Sequence, residues 1–169
     1  MTAHLSTVHN YTAWKTLNSI KNKSREGISQ SYRKILPFLE WNSDNNIGTV
    51  IDFGNDGLFF NYCFLCLSIS KNAFELSLSL IALDACHAQG SKNFFFIFAS
   101  SLSGNNEIVP LAFAIAPTEN EINWKKFMKK LDESLKISER NKVVIISFRE
   151  KIILNSSKEI FLKCSHSLC

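Results

Sequence analysis

The apolar run Leu80-Ile81-Ala82-Leu83 ends in Asp84, and a second run, Val143-Val144-Ile145-Ile146-Ser147, ends in Phe148. An acid at the tip of a buried strand can hold a divalent metal ion over a phosphodiester. One carboxylate cannot organise a two-metal centre, so the chemistry needs a second acid close by. The chain offers Asp84 for the first position and has a phenylalanine where the second is expected. Phenylalanine has no oxygen to give a hard cation. Glu150, two residues on, is the one nearby carboxylate in the sequence, and a Glu at a helix start more often serves the helix dipole.

Two sulfur-bearing stretches invite a metal reading. Cys63-Phe64-Leu65-Cys66 has a paired-Cys spacing, but it sits among apolar residues with no second pair nearby, so buried strand thiols are expected. Cys164, His166 and Cys169 come closer to a metal half-site, yet a final ligand is missing. Five cysteines scattered through strand-like sequence point to reduced thiols in an intracellular protein. The start, residues 1–14, lacks the charged region followed by an apolar one that a secretory signal would show. The most apolar run, Phe94 to Ala99, is far too short to cross a membrane. A soluble chain is therefore expected.

The elements that must position these residues follow from periodicity and turn chemistry. Ile28, Tyr32, Ile35, Leu36 and Leu39 recur at helical spacing, with Pro37 disturbing the last turn. The polar stretch 41–48 reads as a connector, which divides the chain into a basic helical arm, residues 1–45, and a domain, residues 46–169. Asp52 to Ser70 is aromatic-rich and predicts one or two strands. Leu78, Leu80, Ala82 and Asp84 fall on one face of the next strand and Ile81 and Leu83 on the other, so both faces are expected to be buried. Asn93 to Leu102 and Ile108 to Ala116 complete an antiparallel meander, with turn chemistry at Ser103-Gly104-Asn105-Asn106.

Thr118 and Glu121 have the spacing of a capping box. The helix they would open puts Trp124, Phe127, Met128, Leu131 and Leu135 on one face, away from Lys125, Lys126, Lys129 and Lys130. A strand over 143–147, a helix over about 149–159 and a short strand near Phe161–Cys164 follow. Three antiparallel strands, helix, strand, helix, strand is an α/β order, that of a ribonuclease-H-like mixed sheet. In it the first and fourth strands lie side by side, which would make Asp84 and Phe148 neighbours.

Charge is uneven along the chain. Residues 1–40 hold Lys15, Lys21, Lys23, Arg25, Arg33 and Lys34 against Glu26 and Glu40, and so carry the whole formal excess of +4. That permits phosphate contacts by the arm, although a solvated helical surface accounts for the charge as well. Composition is otherwise ordinary for a globular domain, 46% hydrophobic and 20% charged, with 14 Phe suiting a sheet-rich core.

At these residues the chain resembles the Mutator-like (MULE) transposase domain, a DDE-type DNA transposase core. Ile81-Ala82-Leu83-Asp84-Ala85-Cys86-His87 resembles the family's first strand with its acid and His. Asn105 to Ile115 resembles its third strand, and Glu119-Asn120 with Trp124 and Phe127 its Glu…Trp…Phe helix. Ile145-Ile146-Ser147-Phe148-Arg149-Glu150-Lys151 is similar to an apolar-Ser-Asp-Arg-Glu-Lys segment, and His166-Ser167-Leu168-Cys169 to the start of a His-x-x-Cys-x-x-His element.

The resemblance implies three acids binding Mg2+ or Mn2+, transposon-end DNA as partner, a homo-oligomer as one assembly, and the nucleus as the place of action. Asp84 matches the first acid and is the implied metal ligand. His87, Glu119 and Trp124 are implied supporting residues. Phe148 replaces the second acid, and the third, with the last His of the element, would fall beyond Cys169. The chain thus reads as a truncated and substituted copy, a domain missing its last helix, defective in catalysis by itself. The alternative is a non-catalytic DNA-binding or protein-interaction module derived from a transposase. A nuclease or polynucleotidyl transferase of another branch of the fold would need Glu150 as its second acid.

Overall fold

The computed structural model describes residues 33–56, 59–87, 94–140, 142–147 and 151–168. By compactness the chain divides into Met1–Ile35 and Leu36–Cys169. The expected helical arm falls largely on residues 1–32, outside the described residues. The described part runs α1 (Ile35–Asn45), β1 (Val50–Asp56), β2 (Phe59–Cys66), α2 (Ser68–Glu75), β3 (Leu80–His87), β4 (Phe95–Leu102), β5 (Ile108–Ala116), α3 (Glu121–Leu135), β6 (Val144–Ser147), α4 (Lys151–Ile160) and β7 (Ser165–Leu168). The seven strands form one mixed sheet in the order β1-β2-β5-β4-β3-β6-β7.

The hairpin β1–β2, the β3–β4–β5 meander and the β2–β5 pair are antiparallel. β6 lies parallel to β3, and β7 parallel to β6. The first strand of the meander and the strand after α3 are therefore direct neighbours, as the element order predicts.

One face of this sheet is closed by helices. Ile81, Leu83, Ile97, Ala99 and Ile145 share a buried cluster with Trp124, Phe127, Met128 and Leu131 of α3, Ile153 of α4 and Phe74 of α2. The α3 stripe was legible because its apolar residues recur at helical spacing, and each of its five predicted members is buried. Ala112, Ala114 and Ala116 occupy alternate positions on β5, so the sheet is thin where the bulky side chains of α3 come down. Pro110 sits inside a central strand without breaking it. The β4–β5 register slips between Ala99 and Ser100, pairing Ala112 and then Pro110, so the proline falls at a bulge where no ladder donor is needed.

Several expectations are corrected. The second face of β3 is not buried: Leu80 and Ala82 are half-buried, and Asp84 and Cys86 are exposed. Pro37 lies in the first turn of α1 rather than in a last turn. There its missing N–H costs nothing, since first-turn donors have no intrahelical partner. That helix runs on to Asn45 through the expected connector, because Asn42, Asn45 and Asn46 each donate a side-chain N–H to the carbonyl four residues back.

The short α2 was not anticipated. It buries only Ser70 and Phe74, too few residues for a periodic signal. The cap of α3 is Asn120, whose Oδ1 accepts from the Asn123 N–H at 2.9 Å, while Thr118 instead accepts from the Asn120 amide. Finally, Phe161 is not in a strand. It is a buried anchor beyond α4, and the edge strand begins at Ser165.

Candidate functional site

Asp84 is carried by β3 on the face away from the helices. The β3–β6 ladder ends on the pair Leu83–Ser147, so Asp84 is the next residue along β3, and in the sequence Phe148 follows the last residue of β6. Phe148 and Glu150 lie outside the described residues. Across the other edge, Asp84 pairs with Phe98 of β4 and Cys86 with Phe96. The Asp84 carboxylate is exposed, and its Oδ1 accepts the Ala85 N–H at 2.8 Å. A carboxylate so placed is open to a solvent-borne ligand, with one oxygen partly engaged by its own backbone.

A divalent cation of the magnesium type takes six oxygen ligands, several of them usually water. Among the described residues no three His, Cys, Asp or Glu side chains come together where they could hold a metal ion. Asp84 is the one acid on β3, and no acid lies on β4, β6 or β7. The described residues do not fit a two-metal centre.

The supporting residues separate in space. His87 has the opposite strand parity to Asp84, and its ring packs edge-on against Phe95 at 4.6 Å between centroids. Trp124 is fully buried, and its indole N–H donates to the Glu119 carboxylate at 3.3 Å. Glu119 therefore precedes the helix and orients a core anchor. Neither Glu119 nor Trp124 is on the strand that carries Asp84.

His166 enters a network that the sequence did not disclose. Its Nε2 meets the Ser147 hydroxyl at 2.9 Å and its Nδ1 meets the Ser157 hydroxyl at 2.6 Å. Ser157 donates to the Leu154 carbonyl at 3.0 Å, so its oxygen accepts from Nδ1–H and leaves Nε2 to accept from Ser147. The ring thus ties the tip of β6 to α4 and β7. Burial first, and the Lys158 charge second, hold its pKa below the ordinary imidazole value. A hydroxyl against an imidazole resembles an activated nucleophile, but Ser147 is 2% exposed and the group orienting the ring is neutral, so the arrangement is a structural tie. With both ring nitrogens engaged, His166 as placed has none to offer a metal. Cys169 lies outside the described residues. The one signal for this network was the Ser156-Ser157 pair on a helix face that is otherwise apolar.

Cys63 and Cys66 are both buried on β2 and, three residues apart, point to opposite faces of the sheet, which rules out one shared ion. Burial pushes the Cys63 thiol up to about 11 and raises Cys66 as well. On α3 the lysines are largely neutralised. Lys126 pairs with Asp52 at 3.1 Å while lying over the Tyr62 ring, Lys125 bridges Glu121 and Glu159, and Lys130 meets Glu133 at 2.7 Å. That surface has little unpaired charge to set against phosphates. Among the described residues no helix is long and apolar enough to cross a membrane.

Compared with known families, residues 80–169 match the MULE transposase domain. The matched stretch begins at the first residue of β3 and takes in the meander, α3, β6, α4 and β7. The β1–β2 hairpin and α2 lie before it. Among curated proteins, none matches the chain.

Proposed function

The chain belongs to the MULE transposase domain family, and from that membership we propose that it descends from a DDE-type DNA transposase core and does not itself cut DNA. The observation that carries this reading is the juxtaposition of β3 and β6. Parallel neighbours, they lead to Asp84 on one strand and to Phe148 on the other. The order β5-β4-β3-β6-β7, with an antiparallel meander followed by two parallel strands, supports a ribonuclease-H-like fold. In that fold a metal-dependent phosphodiester reaction would use Mg2+ or Mn2+ held by acids at those two positions. Phe148 supplies no ligand, and losing a group that organises the metal ions costs several orders of magnitude in rate.

What remains by this reading is attachment to DNA in the nucleus. The formal excess of +4 lies in residues 1–40, and the lysines of α3 are mostly paired. Phosphate contacts therefore fall to the N-terminal residues, and binding should weaken steeply with salt.

The test is a nicking assay on supercoiled plasmid with Mg2+ or Mn2+, beside a filter-binding titration with duplex DNA at two salt concentrations. Salt-sensitive binding without nicking is expected. Metal-dependent nicking that Asp84→Asn abolishes would overturn the non-cleaving reading, and would make Glu150 the first candidate for the second acid. Absence of both nicking and binding would overturn the DNA-binding reading.

A further inference from the structure

Beside Asp84 the sheet carries a pair of aromatic rings that, among the described residues, take no part in the buried core cluster. Phe98 pairs directly with Asp84 and Phe96 with Cys86, so both rings stand on the same face as the carboxylate. The two rings stack on each other at 6.1 Å between centroids and 19° between planes. Phe98 is 40% exposed. Phe113 and Ile115, their partners on β5, are half-buried and extend the surface sideways. Neither β3 nor β4 contains a Lys or Arg, so these two strands offer π-faces and a single carboxylate and no cation of their own to grip a phosphate.

We propose that Phe96 and Phe98 form a stacking platform for unpaired nucleobases, so that a DNA strand brought to Asp84 is bound where its bases are out of the duplex. The inference rests on the DNA-directed reading of the chain and names the form of DNA that this face accepts. What selects bases over another apolar partner is continuity: the platform adjoins, in register, the one acid that the proposed descent from a DNA transposase assigns to DNA chemistry. A duplex keeps its bases stacked on one another and shows this face only phosphates and groove edges, for which it has no donor. An unpaired base presents a flat ring that can lie on Phe98. Such stacking tolerates any base and, being uncharged, responds little to salt.

The experiment is fluorescence anisotropy in metal-free buffer, with the full chain titrated into a labelled oligothymidylate and a labelled duplex of the same length. Phe98→Leu and Phe96→Leu/Phe98→Leu keep apolar bulk at the site and remove the ring, with circular dichroism as the check on folding. Phe98→Trp keeps a ring.

About 10-fold weaker binding of the oligothymidylate by the single Leu variant, more by the double, with duplex affinity unchanged and the Trp variant like wild type, is the expected pattern. Unchanged oligothymidylate affinity in the double Leu variant, with duplex binding intact, removes the platform and leaves the DNA-binding reading standing. Failure of wild type to bind either probe at low salt removes both. A concentration-dependent dimer in sedimentation that Phe98→Asp dissociates would overturn the proposal by giving the face to a second copy of the chain.

Discussion

Replacing His166 with alanine removes the ring that ties β6, β7 and α4 together, and its cost can be worked from the hydrogen bonds. Ser147 and Ser157 are each 2% exposed. Ser147 loses Nε2 as one partner of its buried hydroxyl, worth ~0.5–1.5 kcal/mol net. Ser157 keeps its bond to the Leu154 carbonyl and loses only what it accepted from Nδ1–H, ~0.5–1 kcal/mol. The expected destabilisation is therefore ~1–2.5 kcal/mol, read as a lowered urea midpoint with unchanged slope.

The bonds also give the effect a pH signature. His166 binds its proton less readily in the folded chain than in the unfolded one, because burial and Lys158 oppose the charge. Its stabilising contribution is complete above the unfolded imidazole value of about 6.5. It is lost as pH falls from there through the lower folded value, because the unfolded chain takes up the proton first. The stability gap between wild type and His166→Ala should thus narrow on acidification from neutral pH to about pH 5. In a double-mutant cycle, Ser147→Ala should cost far less in the His166→Ala background than in wild type. A destabilisation under ~0.5 kcal/mol, or a gap that does not change with pH, would refute the tie and the tautomer assigned to it.

Three other outcomes follow from particular side chains. Tyr62→Phe should raise stability by up to ~1 kcal/mol in chemical denaturation. Its buried hydroxyl has no hydrogen-bond partner, while the ring beneath Lys126 is kept. Asn120→Ala should lower stability by ~1 kcal/mol and Thr118→Ala by clearly less, because Asn120 makes the capping bond of α3; the reverse order in denaturation midpoints would return the cap to Thr118. Under native conditions a disulfide reagent should titrate Cys86 rapidly and leave Cys63 and Cys66 untouched until the chain unfolds. Cys86 is exposed, whereas the other two are buried with raised pKa values; peptide mapping of the labelled thiols reads this directly.

The parts of the fold legible in the sequence are those fixed by local periodicity. The α3 stripe from Trp124 to Leu135 and the alternation along β4 and β5 stand out because each element carries enough apolar residues to show its period. The α2 helix and the start of β7 do not, with two buried residues in one and four residues in the other. The choice between Thr118 and Asn120 as the cap was equally hidden, since both can accept a backbone N–H and only the backbone path decides which one does.

The sequence by itself determined that Asp84 follows one apolar run and Phe148 another, and that a meander, a helix and a parallel return would bring those runs together, although β3 continues past Asp84 to His87. These are properties of residue type and order, which local sterics and burial read directly. Only the tertiary structure decided that the Asp84 face stays open at Asp84, Cys86 and Phe98, while on that same face Cys63 and Leu65 of β2 are buried. It alone set the His166 ring between Ser147 and Ser157, and it set Phe98 beside the acid. Each of those outcomes depends on partners brought together from far along the chain. Which face the helices cover, and which hydroxyl meets a ring 19 residues away, are settled when the elements pack.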